Sequence, residues 1–238
     1  MKNKRNILLL LGIMVLAQFF WLRENLNFDR ELPFLSCLFV ADTAQGNMLL
    51  TMYSYLPFPF FLLLFSGEMQ QLIAGYGSLM VIRGSNKTGL LITLIGKICL
   101  QMAGIVLAMW MLYSIGKSEH WAAIGRSQQI QGMFMYTFTL IVMVQLQLLL
   151  ELYMDEQYAY GMTMITGIVA IFASGTIGTR FAMVNLFLFP NLAFARKNGV
   201  LNEANYNLPF ETACLVLVGI YLVLALMTMQ RFKQKDML

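Results

Sequence analysis

The chain has 238 residues, 59% of them hydrophobic and 12% charged, with a mean hydropathy of +0.68. A soluble domain typically carries about 25% charged residues, so the composition excludes one and indicates an all-α integral membrane protein, a single transmembrane domain over 1–238. The net charge of +4 is too small to argue for nucleic acid, and Cys37, Cys99 and Cys214 are too scattered for a disulfide framework or a zinc site.

Lys2, Lys4 and Arg5 precede an apolar run that reads as a retained first span, about 6–22, because Arg23 and Glu24 follow it where a cleaved leader would show small residues. Within the polar connection after it, 32–41 is an apolar patch of ten residues, too short to cross a bilayer, and predicts an interfacial helix or lid. The second span, about 48–65, carries Pro57 and Pro59, which remove backbone donors and predict a kink or break. Such a break either lines a path or is absorbed by packing.

The stretch 66–97 is too polar for lipid and too patterned for a loop. Met69, Leu72, Ile73, Tyr76, Leu79 and Met80 recur at helical spacing, with Glu68 at the favourable end of the helix dipole. Arg83, Gly84, Ser85 and Asn86 end the pattern and Lys87 opens the next span, so an amphipathic surface helix and a hairpin are predicted before a third span whose apolar run is about 98–115, with Lys97 near its inner end. On pattern alone it is either a membrane-surface linker or a helix that docks into another protein.

Span four, about 130–150, has Gln145 and Gln147 near its end, where amides tie helices together or meet water. An acidic turn with Glu151, Asp155 and Glu156 leads into span five, about 160–175, where Gly161, Gly167, Gly175 and Gly178 predict close helix approach. The pattern breaks at 174–180, and a nine-residue apolar piece follows that ends at Pro190–Asn191. A re-entrant half-helix and one long tilted helix both fit. Pro209 and Glu211 open span six, about 209–229, and Arg231, Lys233 and Lys235 close the chain. Six spans put both termini on one side, and the basic N-terminus places that side in the cytoplasm.

Catalytic chemistry finds no foothold. The one histidine, His120, sits in a loop beside Trp121, no metalloprotease or nucleophile-elbow motif occurs, and no carboxylate pair lies within a span. The string 82–88 has Asn86 where a phosphate-binding loop needs glycine before Lys87. The expectation is a chain that is no enzyme, has no metal site and binds no cofactor itself. The spans bury almost no charge, so transport would draw its energy from outside the chain.

The layout resembles the membrane subunit of type-2 (exporter-type) ABC transporters, and more narrowly the small permeases of bacteriocin, lantibiotic or other peptide clusters. The likeness covers the whole chain as topology, and as residues it rests on Glu68 to Lys97, with its Ile-Arg-Gly-Ser-x-Lys string. The paired prolines and the acidic turn depart from that pattern. The resemblance implies a permease dimer, of two copies or of paralogues, in the bacterial plasma membrane, bound to two copies of a separate ABC ATPase subunit that carries ATP and magnesium. The helix at 68–83 would ride in a groove of that ATPase and tilt spans two and three, making Glu68, Met69, Leu72, Ile73, Tyr76 and Arg83 coupling residues. A path lined from spans one, two and five would involve Tyr53, Pro57, Pro59, Gly167 and Gly175. Its uncharged, Met- and Phe-rich character points to a hydrophobic or amphipathic peptide or a lipid-like substrate, for export or immunity. The alternative is an ATP-independent immunity or carrier protein.

Overall fold

The computed structural model describes residues 4–25, 55–75, 86–114, 126–176, 184–194, 198–200 and 209–235. Tyr53, Tyr76, Arg83, Gly178, His120 and the patch at 32–41 lie outside them. Among the described residues the chain is all helical, without a strand: α1 (Lys4–Asn25), α2 (Pro57–Phe65), α3 (Glu68–Ala74), α4 (Lys87–Ser114), α5 (Arg126–Glu151), α6 (Glu156–Thr176), α7 (Val184–Phe187), a 3₁₀ turn (Phe189–Ala193) and α8 (Phe210–Gln234). Among the described residues three helices are long and apolar enough to cross a membrane, over Lys87–Met111, Ser127–Glu151 and Phe210–Gln234, which marks the chain as a membrane protein.

Helix α5 is the axis of the bundle. Of its apolar window 61% is buried within the chain, against 28% in α4 and 17% in α8. It packs against α2, α3, α4, α6, α8 and the 3₁₀ turn, while α1 lies on α2. Two amides lock this packing. Gln145 Nε2 donates to Thr228 Oγ1 of α8 at 3.0 Å, and Gln147 Nε2 donates to the Leu62 carbonyl of α2 at 3.1 Å. In an apolar surrounding an unpaired amide is costly, so each bond selects one register of the two helices it joins.

The prolines open α2. Pro57 is its first residue and Pro59 lies in its first turn, where the missing N–H groups would have no helical partner in any case. Pro57 is buried and Pro59 half-buried. Helix α4 starts at Lys87, well before position 98, because the Asn86 side chain caps it: Asn86 Oδ1 accepts from the Thr88 N–H at 3.0 Å. Its 28 residues measure about 42 Å, roughly 12 Å more than a hydrocarbon core. The membrane-grade part runs over Lys87–Met111, with exposed Lys97 as a charge inside it.

The next described segment, 184–194, holds the four-residue α7 and the 3₁₀ turn, and Pro190, Asn191, Leu192 and Ala193 are all buried against α5 and α6. Asn191 Nδ2 holds the turn by donating to the Ala170 carbonyl of α6 at 2.7 Å. Phe58 joins this segment to α2 and α5: its ring stacks on Tyr55 at 4.7 Å, meets Tyr136 edge-on at 5.7 Å and lies 6.2 Å from Phe194.

The glycines of α6 do not act together. Gly167 meets the Tyr55 hydroxyl, while Gly161 faces open space; six residues turn a helix by about 240°, so the two point to different sides. Gly175 lies in the last turn of α6. A Cβ at Gly167 would fall on the Tyr55 hydroxyl and ring. Gly167→Ala is therefore expected to destabilise by about 1–3 kcal/mol, as overpacking does. Thermal unfolding in detergent checks this, and adding Tyr55→Ala should give less than the sum of the two single losses.

Candidate functional site

Among the described residues five helix ends meet the short α3 at one charged pole: the starts of α1, α4 and α6 and the ends of α5 and α8. Lys87 Nζ donates to the Lys235 carbonyl at 3.2 Å, and Lys235 Nζ donates to the Leu152 carbonyl at 2.8 Å, which brings α4, α8 and α5 together. A cation on the last carbonyls of a helix is placed where the dipole favours it. The Arg231 guanidinium lies 4.9 Å over the Tyr153 ring.

Helix α3 is held at this pole by its N-terminus. Ser66 is extended and Gly67 takes φ 83°, so the chain leaves α2 and restarts at Glu68. No other residue adopts that left-handed conformation without strain, and a Cβ there would fall on the Glu156 carboxylate. The first turn of any helix exposes N–H groups without helical partners. Here Glu151, at the end of α5, supplies the acceptor: Gly67 N–H donates to its Oε1 at 2.8 Å and Met69 N–H to its Oε2 at 3.1 Å. Gln147, one turn earlier, donates to the same Oε1 at 3.2 Å while also holding Leu62. Both side chains are buried. Gln70 Nε2 adds a long bond of 3.4 Å to the Met154 carbonyl. Lys4 forms an ion pair with Glu68, which ties α1 to the same point. Burial, then the Lys97 charge, pull the Lys4 ammonium below the ordinary lysine range, against that pairing.

The predicted coupling residues fall into two groups. Glu68, Met69 and Leu72 are buried within the chain, and Met69 and Leu72 join the main core. Ile73 is half-buried, and Gln71 and Ala74 are exposed. Of the predicted path residues, Gly167 meets Tyr55, next to the buried start of α2 at Pro57. Sequence reasoning noted Glu151 and Gln147 and did not connect them with α3. A signal was present: an acid at the C-terminal end of a helix opposes the dipole and needs donors from elsewhere. Among the described residues no group of three or more His, Cys, Asp or Glu could hold a metal ion. Asn86 and Lys87, from the string that superficially looked like a phosphate loop, serve as helix cap and helix tie.

The profile of the family described as "Protein of unknown function (DUF2705)" matches residues 10–238. No curated protein and no solved structure matches the chain.

Proposed function

The chain belongs to the DUF2705 family, and from that premise we propose that it is the membrane-spanning subunit of an ATP-driven ABC exporter. In this reading six crossings place both termini and the charged pole in the cytoplasm of a bacterial cell, and the 3₁₀ segment re-enters from the outer face. A separate ATPase, in two copies, drives a pair of such subunits, and the cargo is a hydrophobic or amphipathic peptide or a lipid-like molecule.

The observation that carries the reading is α3: a short helix between two bundle helices, held at the pole where both ends of the chain gather, with one face left outward. Its two faces divide the coupling task. Glu68, Met69 and Leu72 fasten the helix to its own bundle, and the outward face with exposed Gln71 and Ala74, bordered by Ile73 where it leaves the core, receives the ATPase. Tyr76 and Arg83 would extend that outward contact. An amphipathic helix seated in a partner's groove is an ordinary mode of docking.

The test is purification from the native membrane in mild detergent with ATP. A stoichiometric nucleotide-binding subunit, with ATP hydrolysis that rises in the complex, is the expected result. Ile73→Asp should weaken that complex by about thirtyfold, the effect of losing one hot-spot contact, while the chain itself stays folded. A stable complex that contains no ATPase overturns the proposal.

One observation favours a second reading, an ATP-independent immunity or carrier protein. The most apolar side chains of α3 are already covered by its own chain, so the helix needs no partner to hide them. Protection or transport that persists when ATP hydrolysis is blocked would select this reading.

A further inference from the structure

Taking α3 as a lever in the sense proposed above, we propose that Glu151 is the positioning residue through which α3 moves α5, with force crossing the Glu151–Gln147 joint rather than following the backbone into α2. The backbone route is soft. Ser66 (ψ 131°) and Gly67 (φ 83°) interrupt the helical geometry between α2 and α3, so a push along α3 turns about these two residues.

The side-chain route is stiff. One carboxylate accepts from both Gly67 and Met69 across more than eighty positions of sequence, and Gln147 fixes that carboxylate while gripping α2 at Leu62. Bonds between an ionised group and backbone N–H are about twice as strong as neutral ones, and a buried location keeps water from replacing them. The turn just beyond is closed by backbone bonds at Leu152, Tyr153 and Met154 of 3.1, 2.9 and 3.0 Å.

From this node the chain of contacts continues. Lys235 binds the Leu152 carbonyl, Lys87 binds the Lys235 carbonyl, and Gln145 holds Thr228. A shift of α3 is thus delivered to α5 and α8 together. The buried central helix moves, not only the two segments that flank the lever in sequence.

The experiment places spin labels at Gln71 of α3 and Ile130 of α5, both exposed, in a full-length chain with Cys37, Cys99 and Cys214 replaced. Wild type should give one narrow distance distribution. Glu151→Met should broaden it, and Glu151→Gln should largely restore it, because the amide carbonyl still accepts from one N–H. Gln147→Leu spares the two backbone bonds and should broaden it less; it stands in for Glu151→Met should that variant not fold.

In the ATPase complex, Glu151→Met should keep the partner bound yet lose at least about tenfold in transport per ATP, the scale of one charged hydrogen bond. Glu151→Gln should recover most of that loss, which a merely structural role would not predict. A narrow distribution in Glu151→Met, or in Gln147→Leu where it stands in, overturns the joint. So does unchanged transport per ATP in Glu151→Met. If wild type binds no ATPase, the exporter reading falls, and the distance measurement alone decides whether Glu151 holds α3 to α5.

Discussion

Replacing Glu151 by leucine is expected to lower the free energy of unfolding by about 3–5 kcal/mol, and the size follows from two competing routes. If α3 stays in place, the N–H groups of Gly67 and Met69 and the Gln147 amide all lose an acceptor in a buried site. Each orphaned group costs about 1–3 kcal/mol, so this route reaches roughly 3–9. If α3 detaches, its N–H groups reach water, but Met69 and Leu72 leave the core, where they are 0% and 1% exposed. Burying such a side chain is worth about 1.5–3 kcal/mol, so detachment costs roughly 3–6. The lower route governs, and relief from burying a carboxylate trims it further. Denaturant titration in detergent micelles measures the loss. A change below about 1 kcal/mol would mean that the carboxylate does not hold the helix. Detachment also predicts early protease access near Gly75 in the variant under native conditions, with cleavage elsewhere unchanged.

How far the sequence carried this picture depends on which interactions are local. Hydropathy located the long helices, because a span announces itself by twenty consecutive apolar residues whatever it packs against. The apolar piece before Pro190–Asn191 was legible as too short to stand alone, and over 184–193 a short helix with a 3₁₀ turn is what forms. The start of α4 was legible because Arg83 to Asn86 end one pattern and Lys87 opens the next, and the helix begins where the Asn86 side chain can cap it. The helical spacing in 66–80 marked Met69 and Leu72 as one apolar face, but not what covers that face. Periodicity is silent on the partner, and the partner is the main hydrophobic core, with α3 set against α5 from far away in sequence. Gln145 and Gln147 could be read from type alone as helix ties or boundary groups; their bonds to Thr228 and Leu62 settle them as ties. Of the glycines of α6, Gly167 makes a close approach, to Tyr55, while Gly161, six positions earlier, falls on another side because its helical phase differs.

The second large effect is expected at Phe58, where removing the ring should cost about 2–3 kcal/mol rather than the 3–5 typical of a soluble core. The difference is a matter of solvent. In water, deleting a buried ring forfeits both its transfer from water and the contacts around it. In a membrane protein the unfolded segments remain in lipid, which is as apolar as the core, so the transfer part nearly vanishes. What remains is the void. Phe58 is 0% exposed and enclosed by Tyr55, Tyr136 and Phe194, three rings from three parts of the chain that cannot all move in. Truncation to alanine leaves a cavity of about 100 Å³, and at about 24 cal/mol per Å³ the loss is near 2.4 kcal/mol. The consequence should not be uniform. Phe194 directly follows the 3₁₀ turn, and Asn191 then remains as its hydrogen-bonded anchor on α6. Amide exchange in Phe58→Ala should accordingly rise first over 189–194, before α5 loosens. Phe187→Ala is the matched control, since that ring is 80% exposed and its loss should cost under about 0.5 kcal/mol. Equal costs at the two positions would show that the aromatic cluster does not hold the broken segment against the bundle.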